Sequence, residues 1–463
     1  MKKTISILLL LALLVSFVPY SFAEDTFKVT QNVVKSKDDI KNINVVLPNF
    51  EGFNGADKVN KKVLDIALDA IGEANAMAKS MMPIKKEIIE KGETASSMVV
   101  TLDMVYDYVK LGDVLSVQLN IYSYYGGAHG TSQIVSITSN TDTGEVYKFK
   151  DLFKENADYN SVITKYILKE IEKEPEQYFS DYEKTISSKD GNYEFYIDGD
   201  KLVVYFGLYN IAPYAAGIRY FVIDSGDIKD ILKDDIYNSI KDGKERGFIN
   251  YNGKNINSDK EIVNSDGTYL LPLREIAEIL GYKVDWNKDD GVIVDGKVVS
   301  ITPQQIINGA TYVPLSYFSE VLNDNVSLGF IGNEKTIVRV YGKEYNESSN
   351  YRLASEYESP ETAEDAVKMY AEAVEKRNGM IQYGLMDDSM RQAKFDDFND
   401  LGFVTGVSSP WVDGYDISQL EENLYNIKFT YKTSVPTDEF ISEEDVRLIE
   451  DGQFIKISSI VEK

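Results

Sequence analysis

The chain has no cysteine and a single histidine among its 463 residues. Without thiols there are no disulfides and no cysteine to carry a lipid anchor, so stability has to come from packing. A catalytic zinc site draws on two or three histidines or cysteines, which His129 alone does not supply. Basic residues are also scarce: 49 Lys and Arg stand against 75 Asp and Glu, for a net charge of −26. Such a surface repels phosphates and anionic lipid, so no nucleic acid partner is expected, and it favours basic partners or divalent cations. Half of that charge falls on residues 351–463. No long apolar run follows the first 23 residues, and no membrane span is expected in the mature protein.

What is present begins with a leader. Lys2 and Lys3 precede a mostly apolar stretch over residues 7–18, and Ser21-Phe22-Ala23 places small residues for cleavage before Glu24. This predicts a secretory signal peptide over 1–23 and a secreted, cell-wall-associated protein. Length predicts about three domains.

The fold class expected is α+β, a multidomain chain with three α+β units in series. Residues 24–120 read as a first subdomain, with a strand over 41–53 ending near Pro48 and a helix over 58–90 interrupted at Pro83. Val59, Val63, Ile66 and Ala70 mark the inner face of that helix. Two alternating runs around Lys110-Leu111-Gly112 predict a hairpin. Residues 121–225 form a second subdomain, with a strand over 133–138 and a turn at Asp142-Thr143-Gly144. A helix follows over 159–171, with Val162, Ile163, Tyr166 and Ile167 inward, and further strands run to about residue 224. Residues 226–246, charged and irregular, read as a linker.

The next block, 247–342, holds an internal repeat, "DGTYLLPLREIAEILGYKV" and "NGATYVPLSYFSEVLNDNV". It pairs Gly267 with Gly309, Pro272 with Pro314 and Leu280 with Leu322. Each copy reads as a strand, a proline in the first helical turn and an amphipathic helix, which makes a pseudo-symmetric domain. After a second linker, 343–359, residues 360–463 read as helices followed by strands. The first helix is expected to be capped by Ser359, with Pro360 at its first position.

The chemical candidates are few. His129 with Ser132 could contribute to a hydroxyl triad, but no nucleophile-elbow pattern surrounds the serine. Two carboxylates suffice for glycoside hydrolysis, and with 75 acids their abundance singles out none. No catalytic residue, metal ligand set or cofactor is assigned. The stretch "YSYYGGAHG" is the most site-like. Gly126, Gly127 and Gly130 let the backbone approach another surface. Tyr122, Tyr124 and Tyr125 offer stiff faces with polar tips, suited to protein or sugar recognition. A bulged hairpin turn with His129 bonded to backbone accounts for the same residues.

Four blocks, "NINVVLPNFEGF", "YSYYGGAHG", "NTDTGEVYKFKDLF" and "YNIAPYAAGIRYFVI", resemble an extracellular domain pair of unknown function. It is shared by lysozyme-sensing anti-sigma factors and peptidoglycan deacetylases of Gram-positive bacteria, and the resemblance covers residues 30–224. It implies a ligand surface that includes Tyr209 and Tyr214 beside the glycine-histidine block, and a partner that is a basic lysozyme-like protein or peptidoglycan glycan. The repeat block resembles the N-terminal stalk domain of copper amine oxidases, which recurs in secreted Firmicutes proteins without the oxidase. The last block is similar to cone-shaped domains of the nuclear-transport-factor superfamily. The sequence therefore points to a non-catalytic cell-envelope binding protein. A carbohydrate-active enzyme and a structural wall component are the alternatives.

Overall fold

A computed structural model describes residues 27–463, apart from 96–97, 245–248, 253, 257, 259, 302, 332–334, 342–345, 348–349, 356, 358–359, 407–408, 435–438 and 453. The expected signal peptide, and Ser359 as a helix cap, lie outside the described residues. The architecture is α+β in several units, as expected from sequence.

The first unit is a sheet covered by one long helix. Strands β1 (Lys28–Lys37), β2 (Lys41–Glu51), β3 (Val100–Leu111), β4 (Val114–Tyr124) and β5 (Thr131–Asn140) lie side by side in that order. β3 and β4 form the expected hairpin, in register from Thr101↔Tyr124 to Leu111↔Val114. Pro48 does not end β2. It pairs with Gln31 of β1 and lies beyond the 41–45 stretch that pairs with β3, so its missing N–H costs no ladder bond on that side.

Helix α1 (Ala56–Glu90) connects β2 to the parallel β3 and runs without a break through Pro83. Pro83 is exposed and lies past Met81, the last buried residue, where the carbonyl it leaves unpaired is not shut away from water. Val59 and Val63 are buried as predicted, whereas Ile66 and Ala70 are only half-buried. Ala67, Leu68, Ile71 and Ala74 are buried as well, because α1 is covered on two sides. One side is the sheet. The other is the C-terminal unit, whose Met380, Tyr383 and Leu385 belong to the same continuous core.

The second unit packs α2 (Tyr159–Ile171), α3 (Tyr182–Ser188) and α4 (Asp234–Ile240) on the antiparallel strands β6 (Glu194–Asp198), β7 (Lys201–Phe206) and β8 (Arg219–Asp224). Helix α2 has its predicted bounds, with Ile163, Ile167 and Ile171 buried, but Val162 faces solvent at 39% exposure. The expected linker over 226–246 packs into this core along its described residues. Ile228, Leu232, Ile236 and Ile240, four apart, are all buried in this core, and α4 is built from the last two.

In the third unit the repeat folds on itself. Strand Thr268–Pro272 pairs antiparallel with strand Ala310–Pro314, and Leu271 lies opposite Val313. Those two are equivalent residues of the repeat, so the pairing has a local twofold. Asp266-Gly267 and Asn308-Gly309 both hold positive φ, the pattern of a two-residue hairpin turn. Pro272 is the strand's last residue and the cap of helix Leu273–Ile279, one place earlier than predicted. In the second copy a helical start at Leu315-Ser316 widens into a π-type turn over Tyr317–Val321.

Described residues of the expected 343–359 linker are packed as well. Strand Asn346–Glu347 joins the first sheet parallel to β1, and Leu353, Ala354 and Tyr357 are buried in its core. The C-terminal unit places helices Ala363–Glu375, Gly379–Leu385 and Asp388–Asp400 before a four-stranded antiparallel sheet. Its first helix is capped by Thr362, whose hydroxyl accepts from the Asp365 N–H at 3.2 Å.

Candidate functional site

The two faces of the first sheet differ. Leu102 and Met104 of β3 are buried in the core that α1 covers. Their neighbours Asp103 and Val105 face a cleft of about 1050 Å³ between this sheet, the 208–220 segment and the third unit. Strand pairing aligns the cleft floor. Asn44, Asp103, Tyr122 and Ser132 are successive partners across β2, β3, β4 and β5, and Val105, Asn120 and Ile134 form the next row. Tyr214 and Tyr220 wall one side, and Asn323, Asp324 and Ser327 wall the other.

Burial sets the electrostatics. It raises the Asp103 carboxyl above its ordinary range, while the Asn44 amide, donating at 3.3 Å, pulls it back. Burial also pushes the Tyr220 hydroxyl up to about 12. At the cleft's inner end Arg339 grips Asp107, its Nε lying 2.8 and 2.7 Å from the two carboxylate oxygens. Both side chains are at most 3% exposed. The amides of Asn250 and Asn120 donate to the same carboxylate, each at 3.1 Å, so the buried charges are paired and bonded.

The glycine-histidine loop lies beside this cleft, between β4 and β5. The His129 ring stacks on Tyr214 with centroids 3.9 Å apart, and Tyr209 lies 5.8 Å from Tyr214 on a tilted plane. The Tyr214 hydroxyl donates to the Gly130 carbonyl at 2.8 Å, and His129 Nδ1 lies 2.9 Å from the same oxygen. The structure thus brings His129, Gly130, Tyr122, Tyr209 and Tyr214 together. Gly130 has no room for a side chain, since a Cβ there would come within 2.4 Å of the Tyr122 ring. Gly126 and Gly127 hold φ of 92° and 97°.

Tyr124 and Tyr125 are used differently. The Tyr124 hydroxyl closes the loop on the Gly127 carbonyl at 3.0 Å. Tyr125 packs against the first core, where burial, with Glu73 and Asp69 adding to it, holds its hydroxyl well above the ordinary range. Part of the stretch is therefore a fastened turn. The exposed aromatic surface belongs to Tyr122 and Tyr209, at 40% and 56% exposure. Ser132 lines the cleft, whereas His129 Nδ1 is engaged with the Gly130 carbonyl.

Sequence reading missed Asn44, Asp103, Asn120 and Ser327. The available signal was polar residues at alternate strand positions, as in "TLDMVYDYV" and "LNIYSYY".

Comparisons with known proteins agree with two of the resemblances. Residues 150–225 match a protein family of unknown function, DUF3298, and residues 250–297 match the copper amine oxidase N-terminal domain. The chain is 31% identical over 132 residues to the peptidoglycan-N-acetylmuramic acid deacetylase PdaC of Bacillus subtilis, covering 27% of this chain and 28% of that one. It is 27% identical over 100 residues to a protease inhibitor of Brevibacillus choshinensis, covering 17% and 31%. The chain thus spans less than a third of the length of either relative. A DUF3298-family crystal structure from Bacteroides fragilis superposes with a TM-score of 0.36 at 16% identity, covering 47% of this chain and 98% of that one. A second, from Pseudomonas aeruginosa, gives 0.30 at 12%, covering 46% and 94%.

Proposed function

We propose that the protein is a secreted, non-catalytic binding protein of the cell envelope, recognising peptidoglycan through its N-terminal units. The observation that carries this reading is the cleft and its aromatic border. A polar floor of Asn44, Asp103, Asn120 and Ser132 lies beside Tyr122 and Tyr214, so hydrogen-bonding groups and flat apolar faces converge on one concavity. The relative named as a peptidoglycan deacetylase supports an envelope setting. The stalk-like third unit suits a protein held at a distance from an anchor point, and the helix-then-sheet C-terminal unit keeps its likeness to nuclear-transport-factor domains as part of the proposal.

A second reading has its own support. With a net charge of −26, the chain would attract a basic lysozyme-like protein, gaining association rate more than final affinity. The protease-inhibitor relative fits a protein-binding role. Co-sedimentation with purified cell walls, set against capture of a basic muramidase over a salt series, separates the two. Wall binding weakened by Tyr214→Ala and insensitive to salt supports the first reading. Salt-sensitive muramidase binding without wall binding supports the second, and wall binding that ignores every cleft and loop variant supports a structural component. Glycan turnover that a single Asp or Glu change abolishes would replace all three with an enzyme.

A further inference from the structure

The glycine-histidine loop is organised around one carbonyl. The Gly130 oxygen accepts the Tyr214 hydroxyl at 2.8 Å and lies 2.9 Å from His129 Nδ1. A carbonyl oxygen only accepts, so Nδ1 carries the proton of that bond. The neutral ring then keeps Nε2 as a bare acceptor. Among the described residues Nε2 makes no hydrogen bond. The Tyr214 ring covers one face of the imidazole, with centroids 3.9 Å apart and planes 25° apart. His129 is nevertheless an exposed residue, which leaves its other face and the edge away from Gly130 to solvent. The fold therefore fixes a hydrogen-bond acceptor and turns it outward.

Tyr209 extends this array at a steric cost. It holds φ of 63°, a conformation that suits glycine or asparagine and strains a bulky side chain. Its ring is exposed, and it meets Tyr214 at 5.8 Å on a plane tilted by 36°. Packing does not account for a tyrosine there, whereas an offered ring face does. Tyr209, Tyr214 and His129 thus form a run of three rings. Tyr214 continues it into the cleft lining beside Tyr122.

Flat faces beside a fixed acceptor suit a ligand ring with a C–H face and O–H or N–H donors at its edge, as in a neutral sugar. A basic protein would be met by carboxylates, and none of these side chains is one. We infer that His129 is a specificity-determining residue for glycan: its Nε2 accepts a sugar hydroxyl or acetamido N–H while Tyr209 stacks on the ring. The inference rests on the envelope-binding reading and deepens it, since one sugar of a chain held in the cleft would lie on these rings.

A single histidine makes the test direct, because the two imidazole nitrogens can be followed without overlap by NMR of the complete chain. The free protein should show Nδ1 protonated and Nε2 unprotonated. Titration with a soluble oligomer of N-acetylglucosamine should move the Nε2 resonance and leave Nδ1 in place. His129→Asn keeps a donor for the Gly130 carbonyl but loses the outer acceptor. It should weaken oligomer binding about three- to tenfold in calorimetry, the worth of one hydrogen bond. His129→Gln, whose amide oxygen reaches the Nε2 position, should restore part of that loss. Tyr209→Asn should weaken binding about two- to tenfold without lowering Tm, because asparagine accepts positive φ. A residue with a purely structural role would not separate affinity from stability in this way. A free protein protonated on Nε2 would remove the acceptor and overturn the inference. Oligomer binding that leaves Nε2 unmoved and ignores both His129 variants would overturn it too, with envelope binding intact. A shift of Nε2 on adding a basic muramidase, with none on adding the sugar, would overturn the ligand class. Failure of the oligomer and of purified walls alike would overturn the envelope reading with it.

Discussion

The first unit meets its two neighbours in opposite ways. Towards the C-terminal unit it presents α1, and the contact is an extension of the apolar core through Leu68, Ile71, Met380 and Tyr383. Towards the third unit it presents polar groups: Asp107 to Arg339 and Asn250, Gln31 to Asn252, and the Tyr106 backbone to the Tyr341 hydroxyl. The mainly apolar contact also carries the Asn378 amide on the Leu68 carbonyl at 3.1 Å and Lys376 beside Asp69 at 3.5 Å, and the cavity next to them, about 510 Å³, is smaller than the cleft. The polar contact pins two units at one end and leaves the large cleft open beside it. Directional bonds hold surfaces at fixed separations, whereas apolar surfaces gain by closing, which fits the larger cleft lying beside the polar contact.

The sharpest way to break the polar contact is Arg339→Met. It strands the Asp107 carboxylate in a buried position, for a loss of about 3–5 kcal/mol in chemical denaturation. Combining it with Asp107→Leu should restore much of that stability, since a buried pair is worth little more than a well-packed apolar substitute. The apolar contact is most vulnerable at Gly72, where a Cβ would lie 2.4 Å from Asn378 Oδ1. Gly72→Val should cost about 1–3 kcal/mol and expose the C-terminal unit to limited proteolysis, with the cleft ligand unaffected. Tyr341→Phe removes the hydroxyl that bonds the Tyr106 backbone and should cost about 1 kcal/mol, read as a lower denaturation midpoint.

The smallest effect is a pH dependence on the apolar side. Burial raises the Asp65 carboxyl above 3.8, and Lys61, 3.6 Å away, pulls it back only in part. The folded state therefore holds this proton more tightly than the unfolded chain. Its stability cost is full above the raised folded value and is relieved as pH falls through that value towards 3.8. The Tm difference between wild type and Asp65→Asn should shrink over that interval in paired thermal melts.

The sequence showed some of this and hid the rest for physical reasons. The β3–β4 hairpin and α2 were legible because alternation and three- to four-residue spacing are local signals. Strand β1, "KVTQNVVKSK", was missed because it is polar and gains its place by pairing along β2. Residues 226–246 misled because charged neighbours masked isoleucines and a leucine spaced four apart. The site divides in the same way. Tyr122, His129 and Gly130 are close in the chain and invited attention. Asn44, Asp103, Asn120 and Ser327 come singly from separate strands, and only sheet register and the docking of the third unit bring them together.

Amide hydrogen exchange on the complete chain, with and without soluble wall glycan, tests the cleft most directly. Slower exchange on binding is predicted in two places at once, in residues 208–220 beside the sheet and in residues 319–328 of the third unit. Protection confined to residues 125–130, with 319–328 unchanged, would contradict a site shared between the units.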